Sequence, residues 1–285
     1  MSGLRIEAPT PLQYFAALVA EDQDFPLLEA AIACGQDDEP SLDVQGVLAE
    51  VDGLGVRLKR RIPADSVALQ RLRYLNRYFF QELAFGGNVN HYYDRRNSYL
   101  HEVLHMRRGI PITLALLYIE LAQHAGLKAL GVSFPGHFLV KLPMGRGEVV
   151  LDPFSGHSLS REDLEERLQP YRRQHGLTGD LEVPLGLFLQ SAAPRDVLGR
   201  LLRNLKEIHR RNADVPRGLA VQHRLVALFP QAWEERRDRG LLLAAAGQPA
   251  GAAQDLNLYL QHCGDAPDAQ HVRQSLDALK PSPLH

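Results

Sequence analysis

Residues 101–105 read His-Glu-Val-Leu-His. In this H-E-x-x-H spacing two histidines one helical turn apart bind zinc, and the glutamate acts as general base. Such a site needs both imidazoles to face one cleft and a third ligand from a later segment. On a helix over 98–106, Leu100, Val103 and Leu104 form the apolar stripe. His101 and His105 lie roughly 100–140° round from it, and Glu102 further still. Gly109 and Pro111 stop that helix within about a turn of His105, and downstream Glu120 is available as a ligand but unforced. The pattern therefore predicts two exposed histidines on a short helix. A zinc metallopeptidase through His101, Glu102 and His105 is the second alternative.

The stretch just after carries more. Gly109-Ile110-Pro111 precedes an almost wholly apolar run to about Ala125, with Pro111 at the position proline favours in a first helical turn. A helix apolar nearly all round is buried. Thr113, Glu120 and His124 share its one polar stripe, and Gly126 reads as its C′ residue. Two short strands follow, His137–Leu142 and Gly147–Asp152, with 143–146 as the turn. Counted across that loop, Leu142 pairs with Gly147, and His137 faces Asp152 at about 5 Å. A carboxylate holding one imidazole nitrogen fixes its tautomer and orientation. A buried helix start followed by a His strand and an Asp strand is the layout of a Cys-His-Asp acyl-transfer site, its nucleophile at the helix start where the dipole lowers a thiol pKa.

The elements that position these residues alternate little. Helical spacing appears over Pro11–Ala20, Pro26–Cys34, Leu42–Arg61 and Ser66–Leu83, before Gly86-Gly87-Asn88 breaks the chain. Lys128–Ser133 reads as a further strand, and Ser160-Arg161-Glu162-Asp163 as a capping box opening a helix to about Leu168. A Pro- and Gly-rich stretch at 169–194 marks a boundary. Beyond it two helix pairs, about 195–230 and 231–267, repeat at an offset of about 33, near the tetratricopeptide period.

The composition, 45% hydrophobic and 23% charged over 285 residues with a net charge of −2, is that of a soluble globular protein and gives no basic excess for nucleic acid. Two cysteines, Cys34 and Cys263, make no disulfide framework. No secretory signal or membrane span is read, so a cytoplasmic protein is expected.

The order "RRGIP…AGLKALGV…GHFLVKL…VVLDPF" resembles the transglutaminase-like core, a relative of the papain-like fold. The whole chain is similar to the bacterial SirB family, on the segments "GNVNHYYDRRNSYLHEVLHMRRGIPITLALLYIEL", "FPGHFLVKL", "LDPFSG", "ERRDRG" and "DLNLYL". The resemblance implies an α+β fold: a helix-rich core with a small antiparallel sheet over 1–182 (helical lead 9–94, core 95–170). An all-α tetratricopeptide-like region follows over 194–285. It implies that the family's His and Asp are His137 and Asp152, and that the Cys position, 15 residues before Gly126, holds Pro111. Thr113 points about 200° away from that position, while Cys34, Ser133 and Ser155 have no motif around them. No intact catalytic set is expected. The candidate pocket is His137, Asp152, Glu102, Arg107, Arg108 and Thr113, without metal or cofactor. The expected function is a non-catalytic module that binds a protein or peptide, its partner surface on the repeats. A hydrolase or peptidase using His137 and Asp152 with an activated water is the first alternative. No nucleic-acid or membrane partner is expected.

Overall fold

Thr10, Asp43, Ser160 and Asp214 each turn a side-chain oxygen onto the free backbone N–H groups of the helix that follows, which sets where those helices begin. At Ser160 the box expected from sequence closes both ways, Asp163 N–H donating to Ser160 Oγ at 3.1 Å and Ser160 N–H to Asp163 at 2.8 Å.

The computed structural model describes residues 8–21, 25–145, 147–177, 179 and 183–279. In chain order its helices are α1 (Pro11–Leu18), α2 (Leu27–Ala33), α3 (Val44–Lys59), α4 (Ala68–Asn76), α5 (Leu100–Met106), α6 (Pro111–His124), α7 (Arg161–Gln174), α8 (Leu185–Phe188), α9 (Pro194–Arg211), α10 (Val215–Leu228), α11 (Trp233–Ala245), α12 (Pro249–His262) and α13 (Ala269–Ala278). Its strands are β1 (Gly86–Gly87), β2 (Arg108–Gly109), β3 (Leu130–Val132), β4 (Leu139–Met144), β5 (Gly147–Leu151) and β6 (Ser158–Leu159). The α+β class, a helix-rich part with a small antiparallel sheet followed by paired helices, is the one expected.

The chain groups into two compact units. The first, Leu27–Gly35 with Asp43–Leu201, is built on α6. Residues Pro111 to Tyr118 of that helix are buried without a break, as its apolar sequence requires. Its end is closed by Gly126 at φ +71° and by the Arg71 guanidinium, which donates to the Ala125 carbonyl at 3.1 Å. Against α6 lie α3 and the antiparallel sheet β3-β4-β5-β6. One face of the sheet buries Val132, Leu139 and Val150 with Leu164 and Leu168 of α7. A short parallel pair, Gly86 with Arg108 and Gly87 with Gly109, ties down the entry to α6.

Two local expectations are corrected. The hairpin turn begins later, at Gly145, because Pro143 and Met144 remain in β4 and pair with Glu148 and Gly147. Val140 is therefore opposite Leu151, and His137 lies before the strand begins. The register is displaced by two residues, which keeps every side chain on the same face. Secondly, α7 does not stop near Leu168 but runs to Gln174 with Pro170 inside it. Buried Arg172, held by Glu165 at 2.6 Å and the Val183 carbonyl at 2.8 Å, anchors the extra turn.

The second unit comprises the described residues up to Pro26, Gln36–Leu42, and those from Leu202 onward. Helix α12 begins and ends 34 residues after α10, which sharpens the repeat offset read from sequence. The "ERRDRG" and "DLNLYL" segments form the joints between helices. Glu235 accepts from Arg203 of α9 at 3.0 Å, Lys206 of α9 at 2.8 Å and Gln222 of α10 at 2.8 Å. Arg239 grips Asp255 of α12 with two hydrogen bonds of 2.6 and 2.8 Å, and Arg237 reaches Asp268 before α13. A Cβ at Gly240 would lie 2.8 Å from Leu256, so glycine there lets α11 and α12 approach. The described residues of 9–26, namely 9–21 and 25–26, and residues 36–42, expected as part of a helical lead to the core, group instead with the repeats. Here α1 packs on α10, Arg224 of α10 pairs with Asp37, and Arg217 with Asp38.

Candidate functional site

Asp152 follows the last residue of β5 and is nearly closed off from solvent. Its position in Asp-Pro-Phe makes an Asx turn, in which Oδ1 accepts from the Phe154 N–H at 2.9 Å. The same oxygen lies 2.8 Å from His137 Nε2, and Oδ2 accepts from Arg167 Nη1 of α7 at 3.1 Å. His137 and Asp152 are thus brought together as expected, by a route the strand count did not give. Phe134 C=O accepts from the His137 N–H at 3.0 Å and holds the turn that presents the imidazole. Burial pushes the Asp152 carboxyl up. The His137 hydrogen bond and charge, the Phe154 N–H and Arg167 pull harder, and hold it well below the usual carboxylate range. With Nε2 committed to Asp152, Nδ1 is the ring nitrogen left for a ligand or water.

Phe154 lies between His137 and the "NHYYD" segment, its ring 6.4 Å from the imidazole and 5.9 Å from Tyr92. A Cβ on Gly87 would fall 2.4 Å from that ring, and the Gly87 N–H donates to the Phe154 carbonyl at 2.9 Å. The glycine pair that interrupts the sequence therefore seats Phe154 beside β2 and the start of α6. Tyr92 and Tyr93 are 41% and 61% exposed, so the segment carries an open aromatic surface next to the His–Asp pair. Arg200 reaches the same area, donating to Ser133 Oγ at 2.7 Å and to the Phe134 carbonyl at 3.3 Å. Burial pushes the Tyr92 phenol up, Tyr93 beside it adds to this, and the positive charge of Arg200 opposes.

Other candidate residues serve elsewhere. Thr113 is fully buried. Its hydroxyl donates to the Asn97 carbonyl at 2.8 Å and accepts from the Ile110 N–H at 3.2 Å, locking the first turn of α6. Asn97 in turn donates to the carbonyls of His91 and Tyr92, at 2.6 and 3.1 Å. Thr113→Val should keep the shape, leave those groups unsatisfied, and cost about 1 kcal/mol in urea denaturation. Arg107 adopts φ +58°, lies over the Phe85 ring at 4.7 Å and points to Glu50 of α3 at 4.0 Å. Arg108 donates to the carbonyls of Ala84 and Arg107, at 2.5 and 2.9 Å. Both arginines, expected in the pocket, tie down the connection. Glu102 is half-buried on α5. His101 is partly buried beside Tyr99 and only His105 is exposed, correcting the expectation of two exposed histidines. Their donor atoms do not converge with a third ligand among the described residues. Pro111 is buried at the first position of α6, as its fixed φ favours. Cys34 is buried, with its thiol donating to the Ala30 carbonyl.

Arg167, Phe154, Tyr92 and Arg200 were not singled out in sequence. The Asx turn of Asp-Pro-Phe was legible and would have found Phe154. Nothing local marks Arg167 or Arg200 as neighbours of residues 152 and 133.

A buried central helix opened by Gly-Ile-Pro, flanked by a His–Asp pair on a small antiparallel sheet and followed by paired helices, defines a transglutaminase-like protein with a helical-repeat region. Residues 45–203 match the transglutaminase-like superfamily, and residues 205–277 match the tetratricopeptide repeat. The chain belongs to the transglutaminase-like superfamily and, within it, to the UPF0162 proteins. It is 39% identical over 246 residues to a UPF0162 protein of Xylella fastidiosa, covering 85% of each chain. It is 28% identical over 262 residues to one from Vibrio cholerae, covering 90% of this chain and 95% of that one. An 85-residue stretch is 40% identical to mouse F-box only protein 21, covering 30% of this chain and 14% of that protein. No solved structure matches.

Proposed function

We propose that this chain is a non-catalytic, SirB-type transglutaminase-like protein that binds a protein or peptide in the bacterial cytoplasm and acts as a regulatory module. Pro111 carries the reading: the helix start where the resemblance puts a nucleophile holds a buried side chain without a reactive atom. The nearest hydroxyl on that helix, Thr113, is already committed at both its donor and its acceptor side. The His137–Asp152 pair beside exposed Tyr92 and Tyr93 then supplies polar and aromatic contacts for a peptide. The repeats from 194 onward supply the partner surface, the common role of stacked helical pairs. Among the described residues no helix is long and apolar enough to cross a membrane.

Purified protein is expected to incorporate no amine into glutamine substrates and to resist labelling by thiol-directed transglutaminase inhibitors. Affinity capture from cell extract with the full chain should retain a partner that is lost on replacing exposed Tyr92 and Tyr93 by Ser, or surface residues of the repeats by charge reversal. Saturable turnover that disappears in Cys34→Ala would overturn the non-catalytic reading. The 2.8 Å His137–Asp152 contact favours one other activity, hydrolysis by a water held at His137 Nδ1. Turnover abolished by His137→Ala but indifferent to both cysteines would select it.

A further inference from the structure

Asp52 on α3 and Glu120 and His124 on α6 bring two carboxylate oxygens and an imidazole nitrogen within 4.8 Å of one another. His124 Nε2 is 3.4 Å from Asp52 Oδ1 and 4.0 Å from Glu120 Oε1. Glu120 and His124 are four residues apart and share one face of the helix. The ring is placed by α3: a Cβ at Gly55 would lie 2.2 Å from His124 Cδ2 and 2.6 Å from Nε2. The imidazole therefore rests flat on the glycine backbone, one turn from Asp52, with Nε2 turned toward both carboxylates.

The charges do not balance. Asp52 and Glu120 have no other ion-pair partner among the described residues, so two carboxylates share one imidazole. His124 and Glu120 are only 22% and 25% exposed, so solvent screens that imbalance incompletely.

We propose that Asp52, Glu120 and His124 bind a divalent transition-metal ion, zinc in the first instance, which clips α3 to α6. Ligands at zinc distances of 2.0–2.2 Å stand about 3.4 Å apart in a tetrahedral shell. The Asp52–His124 separation already has that value, and the Glu120 carboxylate has to close in from 4.0 Å. One nitrogen and two oxygens suit zinc, cobalt or manganese, whereas calcium and magnesium prefer an all-oxygen shell. Asp52 is 68% exposed, which leaves an entry path and room for water as the fourth ligand. The site is separate from the His101–His105 pair and from the peptide-binding reading above, and its role is structural.

The test uses untagged full-length protein stripped with chelator and titrated at pH 7.5 with cobalt and then zinc. Cobalt should give visible d–d absorption that saturates at one ion per chain and is displaced by zinc. Zinc at a hundredfold excess over its Kd should raise the thermal midpoint by about 5 °C. His124→Gln and Glu120→Gln should each remove the absorption and the thermal shift, while far-UV circular dichroism and the metal-free midpoint stay close to wild type. Gly55→Ala, which displaces the ring, should weaken binding by about tenfold. Absence of saturable binding, or the same stoichiometry and thermal shift in His124→Gln as in wild type, overturns the site. So does loss of the signal in His101→Gln or His105→Gln instead.

Discussion

Arg224→Met should destabilise the repeat-containing unit by roughly 3–5 kcal/mol, because removing one partner of a buried ion pair leaves the other charged and unpaired. The Arg224 side chain has no exposed surface and the Asp37 side chain is 10% exposed. The pair is held by two hydrogen bonds of 2.6 and 2.7 Å, and the guanidinium also lies over the Phe15 ring at 4.8 Å. Met fills most of the volume but cannot satisfy the carboxylate. Trp233, on α11 of the same unit, is the single tryptophan of the chain, so its fluorescence during urea denaturation reports this unit directly. A second substitution, Asp37→Leu, should restore much of the loss, since an apolar pair of similar size often matches a buried ion pair. A midpoint for Arg224→Met within about 0.5 kcal/mol of wild type would show that the pair is solvated in solution.

Asp152→Asn is the corresponding change in the first unit, and it should cost roughly 1–3 kcal/mol. The amide can still accept from the Phe154 N–H, but it carries no charge to pair with Arg167 and is a weaker acceptor for His137. The pH dependence follows from the depressed carboxyl. Its folded-state pKa lies below the unfolded value of about 3.9. The carboxylate's stabilising share is therefore fully present above that unfolded value and is lost as pH falls through the folded one. The gap between wild type and Asp152→Asn should be widest at neutral pH and close in strong acid. Hydrogen exchange at β4 and β5 measures it where tryptophan cannot. Nitrogen NMR of His137 adds a readout that general destabilisation would not move: with Asp152 present, Nε2 carries the proton facing the carboxylate, and the Asn variant should lose that preference. An unchanged tautomer balance would mean that the turn, rather than the carboxylate, orients the ring.

Local chemistry explains what was legible in advance. Pro111 at a helix start, Gly126 at its end and the Ser160–Asp163 box act through backbone groups within a few residues of themselves, so composition fixes them without knowledge of the rest of the chain. The apolar surround of α6 announces its burial for the same reason. The His137–Asp152 contact was reached from a hairpin count that was two residues out. It held because the Asx turn at Asp152 and the turn from Phe134 to His137 bring the two side chains together outside the strands. The motifs "ERRDRG" and "DLNLYL" were visible as strings, but their work was not.

Tertiary structure alone decided the partners of the charges. Arg224 meets Asp37 across 187 positions and Arg217 meets Asp38 across 179, and no periodicity encodes such a pairing. The same holds for Arg167 on Asp152, Arg200 on Ser133, and Asp52 beside the Glu120–His124 pair. Arg107 and Arg108, adjacent to the site in sequence, are turned away from it by a left-handed backbone at Arg107 and by carbonyls that only the folded chain supplies. A side chain's helix or strand depends on its nearest neighbours. Its ionic partner depends on where the whole chain has gone, because a charge several elements away becomes a neighbour only after the apolar faces between them have packed.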